Sequence, residues 1–129
     1  MKFSIDWTVF LDVNTRTKCD KLIDKISKSL ELELTDVKIE QYWKDKTLFK
    51  VNARSDFDAP TVKDALFLVM TTASRLAHAW IVAVPPEEPQ WEFGGSANPG
   101  SIRLQGIDSI AFAASNVRAE EQSPMVLQQ

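Results

Sequence analysis

Few residues in this chain are of the types that make or break covalent bonds. The sequence contains one histidine, His78, and one cysteine, Cys19. A nucleophilic triad needs a base beside its nucleophile, and no Gly-x-Ser-x-Gly elbow is present. We expect His78 to cap a helix or to be partly buried for structural reasons, and Cys19 to fill a core position on a helix. We therefore predict no catalytic residue and no enzymatic activity.

Metal and phosphate sites are not predicted either. One cysteine and one histidine cannot build a structural zinc site, and no calcium-loop spacing occurs. The glycine-rich segment from Gly94 to Gly100 lacks the Gly-Lys-Ser/Thr ending of a P-loop, so we predict a turn there. Glu87 and Glu88 stand between prolines in a segment predicted to be exposed, which does not favour acid–base catalysis. No metal and no cofactor is expected.

Aromatic and acidic residues near the C-terminal part form a candidate partner-binding surface. Tryptophan is enriched at the energetic centre of protein interfaces, and acidic side chains select a basic partner. The alternative is that the tryptophan only packs against the fourth strand together with Phe93, and the two interpretations are compatible if the ring is partly buried. The predicted partner-binding residues are Glu87, Glu88, Trp91, Glu92 and Asp108.

The charge balance agrees with a protein partner. The formal net charge is −3, and the acidic excess lies after Lys50, where five Lys and Arg face nine Asp and Glu. An acidic chain is poorly suited to neutralising phosphates, so nucleic acid is not the expected partner. Solubility explains the acidic excess equally well.

The location is predicted to be the cytoplasm. Residues 1–6 alternate and include Asp6, which is unlike a signal peptide, and no apolar stretch is long enough to span a membrane. A single cysteine cannot form an internal disulfide. Hydrophobic residues make up 44% of the chain and charged residues 26%, as in ordinary soluble domains.

The central element is predicted to be a helix followed directly by a buried strand, between Asp58 and Pro85. Apolar residues recur at helical spacing from Val62 to Ala77, and Phe67 widens the apolar face, which indicates a helix packed on two sides. Asp58 or Ala59 would be its N-cap. The apolar run 79–84 predicts a central strand covered on both faces.

The order of elements predicts an α+β fold. Residues 2–13 alternate as a strand, Asn14 or Thr15 begins a helix, and residues 37–43 and 47–54 form two further strands before the central helix and strand. This is the βαββαβ split motif of ferredoxin-like domains, with a mostly antiparallel sheet and two helices on one face. Residues 90–113 would add a C-terminal β extension, either at a sheet edge or across the open face. We predict one domain, 1–115, and a flexible tail, 116–129.

Two surfaces leave alternatives open. The first helix carries four lysines on one face, which either is solvated or meets an anionic surface; they are Lys18, Lys21, Lys25 and Lys28. The open sheet face offers few aromatic residues for RNA, with Phe10 as the exception. A second subunit could instead roof that face into a small-molecule or enzyme site, formed by Asp6, Thr8, Lys50, Asn52 and Arg54. Whether the protein is a monomer or a homodimer stays open.

Two segments, Trp91–Gly95 and Gly106–Phe112, resemble parts of small α/β immunity proteins of bacterial polymorphic toxin systems. In several such families a Trp-containing strand, a glycine loop and a Gly-Ile strand close a small domain. The resemblance implies a cytoplasmic, non-enzymatic protein that binds and neutralises a cognate toxin, commonly a nuclease with a basic active site. It implies no catalytic residues.

Overall fold

The computed structural model describes residues 1–83 and 91–116 of the 129-residue chain. They form a six-stranded antiparallel sheet of order β2-β3-β1-β6-β5-β4 with two α-helices, so the α+β class is confirmed. The elements are β1 (Lys2–Leu11), α1 (Arg16–Leu30), β2 (Thr35–Gln41), β3 (Phe49–Asp58), α2 (Val62–Ala73), β4 (Trp80–Val82), β5 (Glu92–Ala97), a 3₁₀ turn (Pro99–Ser101) and β6 (Ile107–Ser115).

β1 lies inside the sheet and sets its two faces. It pairs along its whole length with β3 and over most of its length with β6. The alternate residues of β1 beginning at Phe3 are buried, and they share one hydrophobic core with the apolar residues of both helices. Since successive side chains of a strand point to opposite faces, both helices cover this face and leave the other open. We call these the covered face and the open face.

The ferredoxin-like strand order is not observed. In that arrangement the fourth strand would lie beside β1, whereas β6 lies there and β4 is two places further out. The reason is strand length. β6 offers nine residues that pair with β1 from Ser4 to Leu11, while β4 has only the three residues Trp80–Val82. The C-terminal extension therefore enters the sheet between β1 and β4, so the prediction that it lies at a sheet edge or across the open face was wrong.

The prediction of a buried central strand at residues 79–84 was wrong. β4 is an edge strand that pairs only with β5 in the described chain, and the Ile81 side chain is 78% exposed on the open face. Trp80 points to the covered face, where its indole N–H donates to the carbonyl oxygens of Ala73 and Ala77. The apolar run therefore combines Trp80, which is anchored on the covered face, with Ile81, which is exposed on the open face.

The first helix follows the prediction. Thr15 is its N-cap and accepts a hydrogen bond from the Lys18 backbone N–H, as expected from its residue type. The predicted apolar stripe faces the core, and its buried members are Cys19, Leu22, Ile26 and Leu30. Glu31 ends the helix in the left-handed region, with φ 58°.

The second helix differs from the prediction at its start and on one side. Thr61, rather than Asp58 or Ala59, is the N-cap, because its hydroxyl accepts from the Asp64 N–H and donates to the Asp64 carboxylate. Phe67 is 74% exposed, so the helix is not packed on two sides by described residues. The apolar sequence here exceeds what the sheet can cover.

The glycine-rich segment predicted to be a turn is mostly strand. Gly94 and Gly95 lie within β5 and pair with Ala113 and Phe112 of β6. A Cβ atom at Gly95 would stand 2.8 Å from Cε2 of Phe112, so glycine makes room for that ring. The glycines serve close packing rather than chain reversal.

No helix in the described residues is long and apolar enough to cross a membrane. The predicted tail, 116–129, lies outside the described residues except for Asn116, which is buried.

Candidate partner-binding surface

The open face divides into a charged half and a half of small residues. The pairing registers place Arg54 beside Asp6 and Asn52 beside Thr8, on β3 and β1. Across β6 and β5 the same rows continue with small side chains, namely Ala111, Ala113, Gly94 and Ser96. The Arg54 Nε donates to an Asp56 carboxylate oxygen at 2.8 Å, an ion pair within β3. The set predicted for the alternative site, Asp6, Thr8, Lys50, Asn52 and Arg54, is thus brought together on adjacent strands.

Three aromatic rings line one end of the open face. The Phe10 and Tyr42 ring centroids are 4.7 Å apart, and those of Tyr42 and Trp43 are 6.3 Å apart, both pairs edge to face. Trp43 is 77% exposed, and the ammonium of Lys44 lies 5.2 Å from the centroid of its indole ring. We call Phe10, Tyr42 and Trp43 the aromatic end.

The turn that carries Trp43 is held by its own hydrogen bonds. The Tyr42 N–H donates to the Leu48 carbonyl oxygen, and the Leu48 N–H donates to the Asp45 carbonyl oxygen. The Thr47 hydroxyl and backbone N–H both donate to one Asp45 carboxylate oxygen, at 2.6 and 3.0 Å. These two bonds, the hydroxyl first, lower the pKa of Asp45 because they favour its charged form. Tyr42 and Trp43 are therefore presented on an ordered turn.

An open pocket lies on the other side of the same turn. Its volume is about 540 Å³, within the range of ligand-binding clefts. One wall comes from the β1–α1 loop and the start of α1, and the other comes from the ends of β2 and β3 and the turn between them. The lining residues are Asp12, Val13, Asn14, Lys18, Gln41, Lys46, Thr47 and Phe49. We call this the hairpin pocket.

Trp91, predicted as an interface anchor, is buried. Only 3% of it is exposed; its ring stacks on Phe93 at 5.1 Å and lies 5.6 Å from Phe3 on the covered face. Its indole N–H has no hydrogen-bond acceptor among the described residues. Trp91 therefore occupies a packing position, as in the alternative that the sequence left open, with Phe3 of β1 as a neighbour.

The acidic residues predicted alongside Trp91 do not form one cluster. Glu92 pairs with Ser115 at one end of β6, and Asp108 lies seven residues earlier, about 23 Å away along the strand. Both are exposed. Glu87 and Glu88 lie outside the described residues. Partner binding by these residues stays a prediction.

The two residues considered for chemistry lie on different parts of the chain, Cys19 in α1 and His78 between α2 and β4. Cys19 is fully buried in α1, and burial, followed by the charge of Asp20, raises the pKa of its thiol, so it is a core residue as expected. His78 is exposed and Ser74 is the C-cap of α2, so the expectation that His78 caps a helix or is partly buried was wrong. No group of three or more His, Cys, Asp or Glu in the described residues is arranged to hold a metal ion.

The lysines of the α1 stripe differ in their surroundings. Lys28 pairs with Asp24 at 3.1 Å, one helical turn away. Lys18 instead lines the hairpin pocket. One member of the stripe therefore has a neighbouring concave surface, which the spacing of the lysines did not indicate.

Sequence reasoning singled out Phe10 on the open face but missed Tyr42 and Trp43 beside it. Tyr42 and Trp43 were included in the second strand, whereas β2 ends at Gln41. The signal was the polar run from Lys44 to Lys46 directly after Trp43. An aromatic residue beside a turn has no strand partner to cover it, so exposure follows.

The chain was compared with known proteins in three ways. No protein-family model, no curated protein and no solved structure matches it. The resemblance to immunity proteins stays a prediction.

Proposed function

We propose that the protein is a non-enzymatic binding module that recognises another protein through the aromatic end and the adjoining open face. The observation that supports this most is the exposure of Trp43. Two other tryptophans, Trp7 and Trp91, are 2% and 3% exposed, whereas Trp43 is 77% exposed. Tryptophan is the residue most enriched at interface hot spots, and exposed apolar side chains mark interaction sites where they are contiguous, as Trp43, Tyr42 and Phe10 are.

The surroundings of Trp43 fit this role. Tyr42 and Phe10 extend the apolar surface beside it, and both are half-buried, so they add contact area without much loss of side-chain freedom. The hydrogen bonds of Asp45 and Thr47 hold the turn in one conformation. A preordered turn lowers the entropy cost of binding.

The proposed partner class is a toxin domain, and the proposed place of action is the cytoplasm. Support comes from the resemblance of segments Trp91–Gly95 and Gly106–Phe112 to immunity proteins. In this proposal the protein neutralises the toxin by covering it rather than by chemistry. The interface is proposed at the aromatic end because Glu92 and Asp108 lie at opposite ends of β6.

The test starts with site-specific photo-crosslinking in the source cell. A photoreactive phenylalanine analogue replaces Trp43 in one variant and Phe67, which is 74% exposed on α2, in a matched variant. We expect one protein to be crosslinked from position 43 and not from position 67. That protein is then purified, and its affinity for the wild-type chain, Trp43→Ala and Phe67→Ala is measured.

We expect Trp43→Ala to weaken binding about 30-fold, as at a hot spot worth about 2 kcal/mol, and Phe67→Ala to change it less than about twofold. Circular dichroism of both variants checks that they are folded. Equal loss in both variants, or unchanged affinity for Trp43→Ala, contradicts the proposed surface. Turnover of a substrate that one polar substitution abolishes contradicts a non-enzymatic role.

A second candidate function has one observation in its favour. Asp6, Asn52 and Arg54 lie together on the open face, on strands that keep the ferredoxin-like order β2-β3-β1. We propose as the alternative that a second copy roofs this half into a small-molecule or enzyme site, as in dimeric ferredoxin-like proteins. The mass in solution, measured by light scattering, tests it, since a monomer at high concentration contradicts it.

A further inference from the structure

We infer that the hairpin pocket receives a carboxylate-bearing segment of the protein partner, next to the apolar contact that Trp43 makes. This inference rests on the proposed function, because the partner is the one that the aromatic end binds. It adds the chemistry of the partner segment, which is acidic with a neighbouring apolar side chain.

The pocket lies next to the turn on which Trp43 is exposed. Lys46 and Thr47 line it from the β2–β3 turn, and Gln41 lines it from the end of β2. The same turn carries Tyr42 and Trp43. A peptide that contacts the indole ring and continues over the turn therefore reaches the pocket within a few residues.

The charged residues that line the pocket favour an anionic ligand. Lys18 and Lys46 line it from opposite walls, and neither forms an ion pair with a described residue. The first turn of α1 contains no acidic residue that would neutralise Lys18. Asp12 is the one carboxylate among the lining residues, so the lining itself carries one net positive charge, and the nearby Asp45 carboxylate is occupied by its two hydrogen bonds from Thr47.

The hydrogen-bonding groups in the pocket suit an acceptor ligand. Asn14 also lines the pocket, and its side-chain amide can donate. Gln41 already donates to the Lys46 carbonyl oxygen, and Thr47 already donates to Asp45. These bonds hold the side chains of Gln41 and Thr47 in place, whereas the Lys18 and Lys46 ammonium groups remain available to a ligand. A carboxylate would form charge-assisted hydrogen bonds with them, which are stronger than neutral ones.

A peptide agrees with these observations better than single-stranded nucleic acid does. Aromatic rings beside lysines can bind bases and phosphates. However, the open face next to the aromatic end carries Asp6 and Glu40, and the chain as a whole is acidic. Extended phosphate backbones would meet those carboxylates, whereas a short peptide segment occupies only the turn and the pocket.

The experiment uses the full chain and a defined probe. The probe is the peptide Glu-Glu-Leu-Glu-Glu with blocked ends, titrated into isotope-labelled protein and followed by amide chemical shifts. A glutamine-for-glutamate peptide is the neutral control probe, and a twelve-residue oligothymidine is the nucleic-acid probe. The test variant is Lys18→Gln with Lys46→Gln. The control variant is Lys21→Gln with Lys25→Gln, which removes the same charge from the adjacent stripe.

We expect the acidic peptide to shift the amides of Val13, Lys18 and Thr47, and the neutral peptide to shift none. The test variant should bind it at least about tenfold more weakly, as for one lost charge-assisted hydrogen bond, and the control variant less than about twofold more weakly. Equal weakening in both variants, binding of the neutral peptide, no binding of either peptide, or tighter binding of oligothymidine with the same shifts each overturns the inference.

Failure of this inference is distinguishable from failure of the proposed function. If the crosslinked protein loses affinity with Trp43→Ala but not with the Lys18 and Lys46 double variant, the binding surface stands and the pocket assignment falls. If the acidic peptide depends on both lysines but no protein depends on Trp43, the pocket binds anions independently and the proposed function falls.

Discussion

Two groups of aromatic rings in this protein have opposite surroundings. On the covered face, Phe112 lies within 6 Å of three rings, at centroid distances of 5.9 Å to Trp7, 5.4 Å to Trp80 and 5.6 Å to Phe93. At the aromatic end, Trp43 has one ring neighbour, Tyr42, at 6.3 Å. The first group is closed by the helices, and the second is open to solvent.

This difference separates rings that stabilise the fold from rings that we propose bind a partner. Burial of a large ring stabilises the folded state in proportion to the apolar area removed from water. Trp43 removes little of its area from water on folding, so its presence is not accounted for by stability. A ring that contributes little to folding but stays exposed on an ordered turn is suited to gain its burial from a partner.

The largest expected effect is the loss of the ring at the centre of the covered group. Phe112→Ala should lower the free energy of unfolding by about 3–5 kcal/mol, because it removes apolar contacts and leaves a cavity among three rings. Urea denaturation measures this value. Phe67→Ala is the matched control and should change stability by less than about 0.5 kcal/mol. Similar effects of both changes would show that the covered group is not the core.

A smaller loss of stability is expected from adding one methyl group next to the Phe112 ring. Gly95→Ala would place a Cβ atom 2.8 Å from Cε2 of Phe112 and 3.2 Å from the Ile81 carbonyl oxygen. The overpacking should cost about 1–3 kcal/mol. At Gly100 the nearest atom would be 3.6 Å away, so Gly100→Ala should be nearly neutral. Denaturation midpoints compare the two, and equal values would contradict the packing role of Gly95.

Removing the exposed ring at the aromatic end should hardly change the stability of the protein. Trp43→Ala should change the free energy of unfolding by about 0.5 kcal/mol or less, because the side chain is already 77% exposed. The same denaturation experiment measures it. A loss of several kcal/mol would mean that Trp43 is a structural residue and would remove the distinction between the two groups.

The smallest effect concerns the turn below Trp43. Since hydrogen bonds from Thr47 lower the pKa of Asp45 in the folded state, their contribution is present above the unfolded-state pKa and is lost as the pH falls through the folded-state pKa. The Thr47 amide chemical shift should titrate with a midpoint below that of a short peptide of the same sequence. Thr47→Val should move the midpoint upward. Identical midpoints for protein and peptide would contradict an ordered turn.

Local patterns predicted most of the elements. The alternation from Phe3 to Leu11 and the helical spacing from Cys19 to Leu30 reflect burial on one face, which sequence periodicity reports directly. Residue type narrowed the N-cap of α1 to Asn14 or Thr15, and the structure shows that it is Thr15. The position of β6 was not predictable in this way, because pairing partners depend on strand length and register across the whole sheet.

The candidate site was harder to predict than the fold. Trp43 and Trp91 both lie beside charged residues in the sequence. Residue type and sequence neighbours alone therefore do not tell which ring is buried and which is exposed. The difference arises from the position in the sheet, since Trp91 precedes an inner strand and Trp43 follows an edge strand. The hairpin pocket joins the start of α1 to the β2–β3 turn, which lie far apart in sequence.

The most direct test of the binding surface is the dissociation constant of the protein crosslinked from position 43, measured with three chains: wild type, Trp43→Ala and Phe67→Ala. We predict that only Trp43→Ala weakens binding, by about 30-fold, while its unfolding free energy stays near that of the wild type. An affinity that does not change with Trp43→Ala would contradict the assignment of the aromatic end as the surface that binds the partner.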